Sequence, residues 1–133
     1  MIKKITDKIS IETFMDNMPA IIYVFTKDGR LVSWNKKAEE VFEYSADEMI
    51  NKISIEFVAE EDRENVMQAF QSVLTTGFAQ AENLSLTKSG KKIPYIGSVQ
   101  LVLIDGEEYL IGMGIDISEL DSARKKIIEL NEL

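Results

Sequence analysis

Residues Tyr109 to Leu120 read YLIGMGIDISEL. Leu110, Ile111, Met113, Ile115 and Ile117 are the large apolar residues of a strand, yet Gly112 and Gly114 interrupt the run two positions apart. Successive strand side chains point to opposite faces, so both glycines fall on one face and Ile111, Met113 and Ile115 on the other. A glycine inside a strand packs nothing and loses the most backbone freedom on folding. A strand stripped on one side and apolar on the other implies a hollow or a close approach on the bare side. Its other side must be covered. Asp116-Ile117-Ser118-Glu119 then leaves the strand and opens a helix.

Two more strands precede this one. FAQAENLSLT alternates, TKSGKK supplies a turn, IPYIGSVQLVLI is long and apolar, and DGE turns again into the last strand. Turns this short imply antiparallel neighbours. Upstream, AEEDRENVMQAFQSVLTTG is the best helix of the chain. Acidic residues crowd its first turn, Val66, Ala69, Phe70, Val73 and Leu74 form its apolar stripe, and Gly77 stops it. Further upstream AIIYVFT, KDGR and LVSW read as a hairpin about an Asp-Gly turn. Asn35 can cap the next helix, and Ser45 with Glu48 forms a capping-box pattern. SIETFMDNMP is a short helix, with Ser10 as its cap and Pro19 as its limit. The order is α+β: a five-stranded antiparallel sheet with helices gathered on one face. The division expected is a helical extension over residues 1–10, a core domain over 11–118 and a linker helix over 119–133. In that last helix Ser118 with Asp121 resembles a capping box, and Leu120, Ala123, Ile127 and Leu130 are spaced as a coiled-coil seam.

Composition removes several functions. The 133 residues suit one domain with a substantial core. There is no cysteine and no histidine, which excludes disulfides, thiolate chemistry and the commonest ligands of haem and zinc. A net charge of −8 argues against nucleic-acid binding through phosphates. No run is long enough to span a membrane and no signal peptide is visible. The chain reads as soluble and cytoplasmic, making no membrane contact of its own. The helix running to Leu133 reads as a boundary within a longer protein.

The segments KDGRLVSWNKKAEEVFEYSADEM, EEDRENV, LTKSGKKI and GIDISEL, in this order, closely resemble a PAS domain. Trp34-Asn35, Tyr44-Ser45, Asp62-Arg63, Ser89-Gly90 and Asp116-Ile117-Ser118 stand where that family's pattern places them. Ser118 replaces a threonine of the pattern, Glu43 and Asn51 replace frequent glycines, and Ala59-Glu60 replaces a frequent His-Pro. The resemblance implies a sheet whose concave face, with the helices, can enclose a small ligand. It also implies a sensory module that signals through its final helix to an effector such as a histidine kinase, a cyclase or a transcription regulator.

LTKSGKK is most similar to the flavin-binding light-sensing members, and from these the pocket-facing positions carry over. They are Ile21, Tyr23, Phe25, Leu31, Ser33 and Asn35 on the first hairpin. On the last three strands they are Ala81, Asn83, Ser85, Tyr95, Gly97, Val99, Leu110, Gly112 and Gly114. Val66, Ala69 and Val73 face them from the long helix. Small residues leave space, and Tyr23, Asn35, Asn83, Ser85 and Tyr95 add polar groups, the general form of a ligand site. The alternative is a core filled by its own side chains. Histidine-ligated haem and cysteinyl flavin are excluded by composition. Noncovalent flavin stays open without positive support, and no metal site is expected. Ile22, Val24, Leu84, Leu86, Ile96, Ile111, Met113 and Ile115 take the opposite parity, and so apolar an outer face requires a cover. The N-terminal helix, through Phe14, Met15 and Met18, is expected to cover part of it. A second copy would cover the rest, in a parallel homodimer that includes the terminal helices. Asp116 and Ser118 are the expected junction between pocket and signalling helix.

Three functions follow: a ligand-sensing relay module without catalysis, a ligand-free dimerisation module, and a small enzyme. The enzyme needs a carboxylate inside the pocket, and strand parity puts none there.

Overall fold

A computed structural model describes residues 8–133. The elements are α1 (Ile11–Asp16), β1 (Ile21–Thr26), β2 (Leu31–Trp34), α2 (Lys36–Phe42), α3 (Ala46–Met49), α4 (Arg63–Thr76), β3 (Phe78–Leu86), β4 (Lys92–Ile104), β5 (Glu107–Asp116) and α5 (Ser118–Asn131). Two short 3₁₀ turns, Ser54–Phe57 and Glu60–Asp62, join α3 to α4. Seven of the ten residues expected as a helical extension lie outside the described residues, and Lys8, Ile9 and Ser10 form a turn and a bend rather than a helix.

The five strands make one antiparallel sheet in the order β2-β1-β5-β4-β3. The bare strand β5 is therefore central, between β1 and β4. Asp105 and Gly106, with φ of 51° and 82°, form the two-residue turn that joins β4 to β5. Ser45 and Glu48 form the expected capping box on α3. Helices α2 to α4 and the 3₁₀ turns close over the inner face, and Leu31, Met49, Val73 and Leu110 are wholly buried between the layers.

The family-pattern residues act as pins between these layers. The Asp62 carboxylate accepts the Leu84 N–H at 2.6 Å, and Arg63 Nε donates to the Val58 carbonyl at 3.1 Å, fixing the start of α4 to β3. Trp34 Nε1 donates to Glu39 at 2.8 Å.

Three expectations need correction. Strict alternation fails on β2, where Tyr23 faces Trp34, Val24 faces Ser33, but Phe25 faces Leu31. This bulge inserts a residue, so Trp34 shares the inner face with Leu31 while Ser33 turns outward with Val24. Second, α1 does not cover the outer sheet face. It packs beside α2, tied by the Lys36 N–H to the Asp16 carboxylate at 2.8 Å, and leaves Ile11 and Phe14 exposed. Third, Ser118 and Asp121 form no capping box. The Asp116 carboxylate instead accepts both the Ser118 N–H, at 2.8 Å, and the Ser118 hydroxyl, at 2.5 Å.

Candidate functional site

A cavity of about 110 Å³ lies between the inner sheet face and the helices. Ile21, Tyr23 and Phe25 reach it from β1, Leu31 and Trp34 from β2, and Ala79, Gln80, Ala81, Asn83 and Ser85 from β3. Tyr95, Gly97 and Val99 of β4 and Gly114 of β5 complete the sheet side. Val66, Ala69 and Phe70 of α4 line it, as do Ala38, Phe42, Met49, Ser54, Phe57 and Val58 from the segments before α4. No lysine, arginine or carboxylate stands among these residues.

Thirteen of the eighteen positions expected to face the pocket line the cavity: Ile21, Tyr23, Phe25, Leu31, Val66, Ala69, Ala81, Asn83, Ser85, Tyr95, Gly97, Val99 and Gly114. Five do not. Ser33 is turned outward by the bulge in β2, and Leu110 is wholly buried in the apolar core. Asn35 is buried, but its amide is spent on backbone: Oδ1 accepts from Ile22 and Ala38, and Nδ2 donates to the Met15 and Ala20 carbonyls. A side chain with four backbone partners is a structural clamp and has nothing left for a ligand. Val73 is wholly buried one turn beyond the cavity, in the apolar core. Gly112 faces inward but borders no space. A Cβ built there would stand 2.5 Å from the Ser98 carbonyl oxygen, 2.5 Å from the Tyr23 ring and 2.7 Å from Val99.

Tyr23 explains the row of glycines. Its ring crosses β5 over Gly112, and its hydroxyl lies 3.2 Å from where a Cβ on Gly97 would stand. That hydroxyl donates to the Met113 carbonyl at 2.9 Å. Desolvation holds the Tyr23 phenol far above its ordinary range. Tyr95 covers Gly114, 3.3 Å from a Cβ there, and burial, aided by Asp116, pushes its phenol up to about 12. Both rings are neutral at physiological pH. The glycines thus make room for tyrosines first, and the cavity is what these two rings leave.

Sequence reasoning missed Trp34, Ala38, Phe42, Met49, Ser54, Phe57, Val58, Phe70, Ala79 and Gln80 as lining residues. The bulge hid Trp34, and residues 36–62 change direction too often for periodicity to assign a face. Phe70 carried a usable signal, being one turn from Val66 on the apolar stripe.

Across the sheet from the cavity, Ile111, Met113 and Ile115 are 39%, 36% and 45% exposed, a solvent-facing apolar band along the central strand. The first turns of α5 cross the outer side of β3 and β4, where Arg124 pairs with Glu82 at 3.0 Å and the Ile117 N–H meets the Pro94 carbonyl at 2.9 Å. On the side of α5 turned away from the sheet, Leu120 is exposed within that crossing, and Ile127 and Leu130 are exposed beyond it. Asp116 and Ser118 occupy the bend between β5 and α5.

A sequence profile of the PAS fold matches residues 10–117. The PAS domain of a Colwellia psychrerythraea protein superposes with a TM-score of 0.71 at 20% identity, over 79% of this chain and 92% of that one. An RNA-binding light-oxygen-voltage receptor gives a TM-score of 0.77 at 18% identity, over 90% of this chain and 36% of that one. A PAS domain from a two-component sensor histidine kinase gives 0.67 at 9% identity, over 77% and 89%. No curated protein matched the chain.

Proposed function

The chain belongs to the PAS fold family, and from that premise we propose that it is a sensory relay module that holds a small molecule in its inner cavity and signals through α5. PAS domains are generally sensory, non-catalytic modules that commonly sit in signalling proteins and dimerise. Among the described residues no helix is long and apolar enough to cross a membrane. The proposal extends this to a cytoplasmic module of a larger protein whose effector, such as a histidine kinase, cyclase or transcription regulator, follows α5.

One observation carries the reading. Strand β5 has the cavity on one side and an exposed apolar band on the other, and it runs directly into α5 through Asp116 and Ser118. A change in cavity contents shifts Tyr23, whose hydroxyl bonds the β5 backbone at Met113. Met113, Ile111 and Ile115 supply the outer face on which a second copy packs, with the α5 helices pairing along Leu120, Ala123, Ile127 and Leu130. Such a shift can be no larger than the ligand's differential affinity for the two arrangements. The lining offers no carboxylate to serve as a base, so the reading is a module without catalysis. It is also a poor fit for noncovalent flavin, whose three fused rings far exceed about 110 Å³.

The second reading, a ligand-free dimerisation module, draws on the tyrosine rings that fill the glycine row. Native mass spectrometry of the protein as purified separates the two. The sensor reading expects a dimer that carries, or takes up from a panel of small neutral compounds, one molecule per chain. A dimer that binds none of them supports the second reading.

A further inference from the structure

We propose that the cavity takes a neutral, largely apolar molecule no larger than a single five- or six-membered ring, and that Tyr23 sets this limit. The inference rests on the sensor reading and adds to it the chemical class of the ligand and the residue that selects it.

Size is the first argument. The cavity of about 110 Å³ is smaller than the ~150 Å³ engineered apolar cavity that accommodates benzene. It accepts a compact ring with slight relaxation and has no room for a second one. The boundary on the sheet side is movable chemistry rather than backbone. The Tyr23 side chain lies across the row made by Gly97, Gly112 and Gly114, its ring within 4 Å of a Cβ at Gly112 and Gly114 and its hydroxyl within 4 Å of one at Gly97. Shortening Tyr23 therefore returns the volume of about one aromatic ring to the cavity, and no other single side chain lies across all three glycines.

Charge is the second argument. The lining carries no cation to pair a carboxylate or phosphate, and no anion to pair an amine. The Tyr23 hydroxyl is already donated to Met113 and the Trp34 indole N–H to Glu39. Among the described residues no fully buried side-chain donor or acceptor lacks a partner. A charged ligand would lose its hydration without compensation. Asn83 and Ser85 offer an amide and a hydroxyl, enough to orient one neutral polar group.

The test uses the intact chain with methyl-labelled methionines and follows Met49, which lines the cavity, during titration with cyclopentane, butyrate and indole. Cyclopentane is expected to shift Met49 saturably in the unmodified protein, with butyrate weaker by roughly tenfold or more and indole without effect. In Tyr23→Ala, and in the milder Tyr23→Leu should the first fail to fold, indole is expected to bind. Butyrate binding as tightly as cyclopentane would overturn the charge argument, and indole entering the unmodified protein would overturn the role of Tyr23. Either result leaves a small-molecule site standing. If no probe shifts Met49 in the unmodified protein or in a folded Tyr23 variant, the ligand-site reading itself fails, and this inference with it.

Discussion

Gly112 and Gly114 stand two apart on one strand, and their surroundings separate them. A Cβ at Gly112 meets a backbone oxygen and an aromatic ring at 2.5 Å, and the backbone cannot step aside. Gly112→Ala is expected to cost roughly 1–3 kcal/mol by overpacking, read as a lower midpoint in chemical denaturation. Gly114→Ala meets nothing nearer than the Tyr95 ring at 3.3 Å, with Tyr23 at an ordinary contact distance of 3.8 Å, and should cost clearly less; equal losses at both positions would contradict this packing. Glu43 and Asn51, the two departures from family glycines, both adopt left-handed backbone, with φ of 67° and 64°. Asn51→Gly should therefore stabilise by up to about 1 kcal/mol, and a lower melting temperature would count against it. At this scale the sequence was read well where a residue has one role. Asn35 has two candidate roles, helix cap and pocket donor, and residue type alone does not choose between them. Its amide is exhausted by Ile22, Ala38, Met15 and Ala20, partners that only the folded chain brings together.

Among the elements, the three-strand meander was legible because its turns carry Ser89-Gly90 and Asp105-Gly106 and its strands alternate. The β2 parity was not, since a bulge leaves no residue-type mark in LVSW. The orientation of α1 was not legible either. Its apolar residues say that it packs, and the bonds of Asp16 and Asn35 decide that it packs toward α2. The end of α2 is tied to the β3–β4 turn by Glu43, which accepts from the Ser89 hydroxyl at 2.6 Å, while Lys88 binds Glu48 at 2.6 Å. The Ser89 hydroxyl above all, then the Thr87 hydroxyl and the Ser89 N–H, hold Glu43 down to about 2. Lys88 foremost, then the Ser45 N–H, does the same for Glu48. Carboxylates depressed in the folded state stabilise it above their unfolded pKa, and that contribution is lost as pH falls from about 4.5 toward 2. Glu43→Gln should flatten the fall of melting temperature across that window relative to the unmodified protein. An unchanged slope would show that the tie contributes nothing. On the outer face, Met113→Lys with Ile115→Lys should leave the circular dichroism spectrum intact and halve the mass in sedimentation, since the apolar band is the proposed contact. A dimer that survives the double change would move the interface elsewhere.

For the whole molecule, the fold and family could be read from motifs spread over most of the chain, while the cavity could be read only in outline. Small residues on β3, β4 and β5 announced a hollow. How much of it survives depends on where Tyr23 and Tyr95 lay their rings, and strand parity puts a side chain on a face without saying which way it leans. The outer band needed only alternation, and Ile111, Met113 and Ile115 are exposed in the folded chain. The central claim joins these two sides of β5: contents of the cavity are felt on the outer face through Tyr23 and the Met113 backbone. Methionine-methyl NMR during cyclopentane titration tests it in one spectrum, because cyclopentane brings no ring current and Met49, Met113 and Met67 report cavity, outer face and the solvent side of α4. The account predicts that Met49 and Met113 shift together along one saturation curve while Met67 stays in place. Met49 moving with Met113 unmoved would leave a cavity that binds and does not signal, and would contradict the account.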